Sequence, residues 1–254
     1  MIEILDLHKS FGNKKVLKGI SFSINRGEVF GLLGPNGSGK TTTIRLLKCV
    51  IQPDKYRIAK IDNLDLYKDK DTIKLKIGLL TENASVYERL TAYEYLSLVG
   101  NLYRVDKNQL ERRIESILKL FDLLDEKNSL LAKFSRGMKQ KILIASTLIH
   151  NPPIVFLDEP FTALDFQVQQ QMKEIIKNIL PKMGKTVILC SHYLSVAEEL
   201  CDRIGILYNG KIHFIGTFEE LLNQTNTKTV EEAFFTLIPR NNNFSKDLIL
   251  KEFI

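Results

Sequence analysis

The sequence predicts an α/β protein built around a mainly parallel β-sheet. Its 254 residues are 44% hydrophobic and 26% charged, a globular composition that excludes a disordered or collagen-like chain. Three continuous apolar runs are typical of strands that are buried on both faces of a parallel sheet: residues 28–33, 153–158 and 186–191. Each run is followed by a segment with helical periodicity: residues 39–50, 166–180 and 194–201. This alternation favours right-handed crossovers within one open sheet.

Shorter strands and helices are predicted on either side of these repeats. Residues 2–7 and 20–24 alternate apolar with polar side chains, which indicates half-buried strands. Near the C-terminus, Asn209-Gly210 predicts a two-residue hairpin turn between strands at 203–208 and 211–215. The remaining C-terminal helices are predicted at residues 218–223 and 229–238, before a polar tail.

Residues 84–135 break the alternation, because they contain no strong strand pattern. Thr91 with Glu94, and Asp106 with Gln109, have the spacing of helix capping boxes. The second helix carries apolar residues at the spacing of one buried face: Ile114, Ile117, Leu118 and Phe121. We therefore expect a helical subdomain inserted between two strands of the sheet.

Neither a membrane span nor a disulfide framework is expected. The longest uncharged stretch, residues 142–157, is broken by Pro152-Pro153 and is shorter than the roughly 20 apolar residues that a spanning helix needs. The N-terminus has no long apolar core, so we expect no secretory signal. The three cysteines have no CxxC spacing and are expected to be reduced thiols of a cytosolic protein.

A phosphate-binding loop is the strongest functional pattern in the sequence. Eight consecutive residues fit G-x-x-x-x-G-K-[ST]: Gly34, Pro35, Asn36, Gly37, Ser38, Gly39, Lys40 and Thr41. The loop follows an apolar strand and opens a helix that continues through Thr42, so backbone N–H groups and the helix N-terminus would face phosphate oxygens. Lys40 would bridge the β- and γ-phosphates, and the Thr41 hydroxyl would bind Mg²⁺.

Two carboxylates follow the apolar strand at residues 153–158. Asp158 would lie at the carboxyl edge of the sheet, where ligands bind, and can hold Mg²⁺ through water. Glu159 could polarise the attacking water as a general base. By itself the pair is equally consistent with a solvent-facing strand end, and only the phosphate loop favours catalysis. Taken alone, His192 is more consistent with a surface or packed residue, and Phe11 is equally consistent with a packing residue.

Further motifs make the chain resemble the nucleotide-binding domain of ABC (ATP-binding cassette) transporters over roughly residues 2–238. The family signature is matched by Phe134-Ser135-Arg136-Gly137-Met138-Lys139-Gln140, and the D-loop by Thr162-Ala163-Leu164-Asp165. The resemblance makes His192 the switch histidine and Phe11 the aromatic side chain that stacks on adenine. It implies a P-loop NTPase fold with N-terminal antiparallel strands, an ATP-binding domain at 1–238 and a tail at 239–254.

The resemblance also implies a mechanism and partners. Two such domains close head to tail, so that Ser135 and Gly137 of one domain touch the γ-phosphate held by the other. ATP and Mg²⁺ are the implied cofactors. The implied partners are an integral membrane permease and a second ATPase domain, in a homodimer or heterodimer. Residues 83–91 would transmit the motion to the permease. The subunit would be cytoplasmic and peripheral on the inner face of the cell membrane.

Some positions depart from the commonest family pattern. Glu82 aligns with the Q-loop glutamine; its carboxylate could still approach Mg²⁺, but it adds negative charge beside a triphosphate. Arg136 and Met138 in the signature resemble the ABC-2 type branch, which is commonly associated with export. With Lys40 and the other catalytic positions present, we expect an active ATPase that drives an exporter.

Two other functions remain open at this point. A soluble relative acting on nucleic acid or the ribosome usually has tandem cassettes or a long coiled-coil insertion, which do not fit this length. The net charge of +6 is modest, and we expect no nucleic-acid partner. A regulatory switch that binds ATP but barely hydrolyses it is supported only by Glu82.

Overall fold

The architecture is a two-sheet α/β fold in a computed structural model that describes residues 1–162, 164–191 and 193–238. The strands are β1 (Ile2–Phe11), β2 (Lys14–Ile24), β3 (Val29–Leu33), β4 (Ile58–Ile61), β5 (Leu64–Asp65), β6 (Ile77–Leu80), β7 (Ile154–Asp158), β8 (Thr186–Ser191), β9 (Arg203–Tyr208) and β10 (Lys211–Gly216). The helices are α1 (Lys40–Leu47), α2 (Lys70–Leu75), α3 (Ala92–Leu102), α4 (Lys107–Leu120), α5 (Arg136–Leu148), α6 (Phe166–Glu174), α7 (Leu180–Lys182), α8 (Leu194–Leu200), α9 (Phe218–Thr225) and α10 (Val230–Leu237).

The core sheet is mainly parallel, as the sequence predicts. Its strand order is β10-β9-β3-β8-β7-β6, and only the β9–β10 hairpin is antiparallel among these pairs. Strands β3, β7 and β8 are buried along their full lengths. Because parallel strands end at one edge of the sheet, the loops after these three strands come together there.

Strand β6 was not predicted, because it is only four residues long and contains Gly78. The glycine is explained by tertiary packing rather than by the strand itself. A Cβ atom at Gly78 would lie 2.2 Å from the carbonyl oxygen of Thr147 in α5. Any larger residue would therefore separate the edge strand from this helix. The periodicity of the sequence does not indicate this contact.

The second sheet is antiparallel, with the order β2-β1-β4-β5. The predicted strands at 2–7 and 20–24 are present but longer, because β1 and β2 form one hairpin with several register shifts. Polar residues between 8 and 15 hide the alternation that would have extended the prediction. Strands β4 and β5 were also missed, since runs of four and two residues are too short for a periodic pattern.

Helices α3, α4 and α5 lie between β6 and β7 in the chain, with a 3₁₀ turn at Leu131–Lys133. The Thr91–Glu94 capping box is confirmed in both directions. The second box is wrong. Asp106 caps α4 by accepting a hydrogen bond from Asn108 N at 2.9 Å, but Gln109 accepts one from the Arg113 guanidinium at 2.7 Å. A charged donor one turn later satisfies Gln109 better than the backbone N–H does.

The helix predicted at 166–180 is interrupted. After α6 the chain makes a π-helical turn, Ile175–Ile179, and then the short α7. Pro181 explains the break, because it has no backbone N–H and its ring crowds the carbonyl of Lys177.

The predicted C-terminal hairpin and the two helices after it are confirmed within the described ranges. The Asn209-Gly210 turn joins β9 to β10, both residues with positive φ, and α9 and α10 follow. Cys190 and Cys201 are buried, Cys49 is half-buried, and all three are free. Among the helices of the described residues, none is long and apolar enough to span a bilayer. The predicted tail at 239–254 lies outside the described residues.

Candidate nucleotide-binding site

The phosphate loop lies between β3 and α1, as predicted. Gly39 is the N-cap residue of α1 and has φ 117° and ψ 5°, which favours glycine. At Gly34, a Cβ atom would lie 2.1 Å from the Leu207 carbonyl oxygen in β9. The loop is therefore held close against the neighbouring strand, and its position at the sheet edge depends on both glycines.

Lys40 is buried at the first position of α1. Its ammonium Nζ donates hydrogen bonds to the carbonyl oxygens of Gly34 at 2.6 Å and Pro35 at 3.2 Å. Burial lowers the pKa of Lys40, and the nearby carboxylates of Glu159, Asp158 and Glu82 oppose that shift. The ammonium thus lies against the loop backbone, in the cavity that the carboxylates of Glu82, Asp158 and Glu159 also line.

Asp158 ends β7 and is also buried. Burial, together with the negative charges of Glu159 and Glu82, raises its pKa to about 6. A carboxylate in this environment is costly to keep charged without a nearby cation. The negative charge of these carboxylates therefore favours a divalent cation or an ammonium group bound beside them.

Glu159 follows immediately and has φ 50°, an uncommon conformation for a residue other than glycine. Its backbone N–H donates to the Cys190 carbonyl at 2.9 Å, and its carboxylate accepts from the Ser191 hydroxyl at 3.3 Å. These bonds connect the residue after β7 to the end of β8. The left-handed turn thus holds Glu159 beside Asp158 at the carboxyl edge.

Most of the predicted site residues line one cavity of about 260 Å³. Its lining includes Asn36, Gly37, Gly39, Lys40, Thr41, Thr42, Glu82, Asp158 and Glu159. Residues from three separate places in the chain thus meet in one space. Lys14 and Val16 of β2 line it too. Sequence reasoning missed both, because nothing in a surface strand indicates that the second sheet packs beside the loop.

Ser38 provides an independent indication that the loop accommodates an anion. Its hydroxyl oxygen is buried and has no hydrogen-bond partner among the residues that the structure describes. A buried hydroxyl that lacks a partner is costly unless a ligand or water completes it. Together with the buried ammonium of Lys40, this orphaned donor fits a bound phosphate.

Phe11 lies at the end of β1, opposite Lys14 in the hairpin. Its side chain is 49% exposed, and Lys9 Nζ lies 5.3 Å from the ring centroid. Phe11 does not itself line the cavity, but its hairpin partner Lys14 does. The exposed ring therefore lies on the hairpin beside the phosphate loop.

Ser135 and Gly137 lie apart from this cavity, at the start of α5. Ser135 is the N-cap and accepts a hydrogen bond from Met138 N at 3.2 Å. Gly137 is buried, and a Cβ atom there would lie 2.9 Å from the Val168 side chain of α6. Within one chain, then, the signature and the phosphate loop do not meet in one cavity.

Other predicted residues fall outside the described part. His192, the expected switch histidine, and Ala163 of the D-loop lie outside the described residues. Within the described residues, no group of three or more His, Cys, Asp or Glu side chains could hold a metal ion alone. Thr41, Asp158 and Glu82 nevertheless offer oxygen atoms, which suit Mg²⁺ when phosphates and water complete its shell.

The amino-acid sequence was compared with protein families and with individual known proteins. A family model for the ABC transporter matches residues 17–162. The chain is 36% identical to the linearmycin resistance ATP-binding protein LnrL of Bacillus subtilis, over 91% of this chain and 73% of that protein. It is 33% identical to the ABC transporter ATP-binding protein NatA of B. subtilis, over 94% and 99%. It is 35% identical to the bacitracin transport ATP-binding protein BcrA of Bacillus licheniformis, over 84% and 68%.

Two solved structures of ATP-binding cassettes are similar to this chain in fold and sequence. The structure of an ATP-binding subunit of an ABC transporter has a TM-score of 0.85 and 31% identity, covering 93% of this chain and 99% of that one. A dimeric ATP-binding cassette in a post-hydrolysis state with ADP and Pi has a TM-score of 0.75 and 27% identity, covering 85% and 98%.

A phosphate loop that faces an Asp-Glu pair at the carboxyl edge of a parallel sheet defines a P-loop nucleotide-binding protein. The matching family model covers more than half of the chain, and NatA aligns over almost its whole length. The chain belongs to the ABC transporter family. It is an ATP-binding subunit that hydrolyses ATP.

Proposed function

We propose that this subunit closes on a second ATPase domain around Mg²⁺-bound ATP and thereby drives a separate integral membrane permease. The observation that carries the proposal is the separation of two half-sites on one chain. The phosphate loop and the carboxylates line one cavity, whereas Ser135 is the exposed N-cap of another helix. An ATP bound to the loop is therefore completed by the signature of a partner domain.

In the first half-site, the phosphate loop binds the triphosphate. Lys40 exchanges its bonds to the loop carbonyls for phosphate oxygens, and the Ser38 hydroxyl gains the partner that it lacks. Loop N–H groups and the N-terminus of α1 add partial positive charge. Phe11 stacks on the adenine from the neighbouring hairpin.

Mg²⁺ would be held by Thr41 and, through water, by Asp158, with Glu82 as a further oxygen ligand. When bound, the ion neutralises charge on the β- and γ-phosphates. Glu159 accepts a proton from the attacking water, and His192 assists at the terminal phosphate. Because the Asp158 and Glu159 backbones are held by β7 and by the bond to Cys190, the base is positioned before ATP arrives.

In the second half-site, Ser135 and Gly137 approach the γ-phosphate bound by the partner domain. The hydroxyl of Ser135 and the N-terminus of α5 contribute donors to that phosphate. Closure is then favoured while the γ-phosphate is present and loses this contact after hydrolysis. The partner is a second copy of this chain or a homologous ATPase domain.

The permease would be engaged through residues 83–91, which join β6 to α3. Ala84, Ser85, Val86 and Glu88 line a cavity of about 230 Å³, together with Arg136 and Lys139 of α5 and with Glu82 and Glu159 of the nucleotide site. This segment therefore contacts both half-sites, so movement at either reaches it. We propose residues 1–238 as the ATP-binding domain, with the helical subdomain at about 84–135.

Export is the proposed direction of transport. Support comes from the Ser-Arg-Gly-Met-Lys-Gln signature string and from similarity to proteins named for linearmycin resistance and bacitracin transport. The subunit would act on the cytoplasmic side, peripheral on the inner face of the membrane. A nucleic-acid role has no comparable support.

We expect the full-length chain, isolated from membranes of its natural host, to co-purify with an integral membrane protein. The isolated complex should hydrolyse ATP faster than the chain alone, because the permease aligns two domains. Mass spectrometry and ATPase assays measure both results. Salt-sensitive association with RNA or DNA instead of a membrane protein would contradict the proposal.

Glu82→Gln tests the role of the unusual carboxylate. We expect the variant to bind ATP more tightly than the parent in EDTA and to gain less affinity when Mg²⁺ is added. The ratio of dissociation constants without and with Mg²⁺ should fall about fivefold, because the substitution removes both repulsion of the triphosphate and an anionic cation ligand. Titration calorimetry measures this ratio directly.

Glu88→Gln is the matched control. Glu88 lies on the same segment and pairs with Lys139 but does not line the nucleotide cavity. Its ratio should equal that of the parent. An unchanged ratio in Glu82→Gln would show that Glu82 does not approach the cation.

A further inference from the structure

Phe166 is the most exposed large hydrophobic residue in the described part of the chain, at 76%. It is the first residue of α6, directly after the N-cap Asp165, whose carboxylate accepts a hydrogen bond from Val168 N at 2.9 Å. Its neighbours Asp165 and Gln167 are exposed and polar. A phenylalanine ring at this place loses much of the stabilisation that burial would give it.

The helix turn that carries this ring packs against the signature. A Cβ atom at Gly137 would lie 2.9 Å from Val168 Cγ2 and 3.6 Å from Asp165 Oδ2. The first turns of α5 and α6 are therefore packed together. Phe166 directly follows Asp165, so the exposed ring belongs to the same helical turn that packs against the signature.

We propose that Phe166 is an apolar anchor of the ATP-dependent dimer, and that its partner is a second copy of this chain. The inference rests on the proposed function, in which Ser135 and Gly137 approach the nucleotide bound by the partner. A surface that brings those residues to the partner also brings the first turn of α6 to it. The ring is thus exposed in the monomer and becomes buried on closure.

A second copy suits this position better than a membrane protein does. The first turn of α6 packs against the start of α5, which carries the signature, whereas the segment proposed for the permease is residues 83–91. In a two-fold dimer each interface contact occurs twice, so that closure buries one Phe166 ring from each copy. Aromatic side chains buried within an otherwise polar interface commonly contribute most to affinity.

The test uses the full chain in a Glu159→Gln background, which is expected to accumulate the ATP-bound dimer. Phe166→Ala should raise the dimer dissociation constant at saturating Mg-ATP by at least about tenfold, because two large apolar contacts are lost. Analytical ultracentrifugation measures the constant. The affinity of the monomer for ATP should be unchanged, since Phe166 does not line the nucleotide cavity.

Leu102→Ala is the matched control. Leu102 is 72% exposed at the end of α3 and is not part of the α5–α6 contact, so its dimer constant should equal that of the background. Phe166→Leu should restore most of the affinity lost in Phe166→Ala. Thermal unfolding of the monomer should be similar in all variants, because both side chains are exposed.

The outcomes of this experiment distinguish failure of the Phe166 anchor from failure of the proposed function. If the Glu159→Gln background dimerises with ATP and Phe166→Ala dimerises equally well, the anchor is excluded while the proposed function stands. If the background forms no dimer with ATP, the proposal of a second copy is overturned together with the inference. A loss of dimer in Leu102→Ala as large as in Phe166→Ala would also overturn the inference.

Discussion

Glu159→Gln is expected to bind ATP and to remain a closed dimer, with turnover reduced by at least about a hundredfold. The amide has nearly the same shape as the carboxylate, so the cavity lined by the phosphate loop survives. What is lost is the group that accepts a proton from the attacking water. Because the γ-phosphate is then not removed, the contact that holds the two half-sites together persists.

Phosphate release and size-exclusion chromatography with Mg-ATP measure these two effects. Glu198→Gln is a matched control, because Glu198 is an exposed glutamate of α8 outside the nucleotide cavity. It should retain parental turnover and show no trapped dimer. Parental turnover in Glu159→Gln would exclude Glu159 as the base.

Lys40→Ala should reduce nucleotide affinity by at least about a hundredfold. The substitution removes a buried ammonium from a cavity that also contains three carboxylates, Glu82, Asp158 and Glu159. Without this positive charge, the triphosphate is surrounded mainly by negative groups. The variant also loses hydrogen bonds between the ammonium and the phosphate, and bonds between charged partners are among the strongest that a site offers. Titration calorimetry with Mg-ATP measures the loss.

Lys60→Ala controls for the general loss of one positive charge. Lys60 lies on β4, where its side chain is exposed, and the variant should bind ATP as the parent does. Circular dichroism shows whether Lys40→Ala remains folded, so that loss of binding is distinguished from unfolding. Unchanged affinity in a folded Lys40→Ala variant would contradict the assignment of the phosphate loop.

The central part of the fold could be predicted because its signals are local. Strands β3, β7 and β8 are continuous apolar runs, and burial on both faces is what produces such runs. The Thr91–Glu94 capping box likewise acts within four residues. Prediction failed where a distant contact decides the outcome. Gly78 in β6 is required by Thr147 of α5. At Gln109 the prediction failed for a local reason, because Arg113 one turn later competes with the helix start for its side chain.

The candidate site divides in the same way. The sequence alone identified the phosphate loop, Asp158 and Glu159, because each pattern lies within a few consecutive residues whose chemistry is characteristic. Only the tertiary structure brought Lys14 and Val16 to the same cavity, and only burial among other carboxylates raises the pKa of Asp158 to about 6.

Exposure is also a property of the folded molecule. In the sequence, Phe166 is an ordinary apolar residue after an aspartate; packing of α6 against the signature leaves its ring in water. Residue types and short spacings determine which groups are available for chemistry. Which groups share one space, one dielectric environment or one open surface depends on contacts between distant segments, and those contacts exist only in the folded chain.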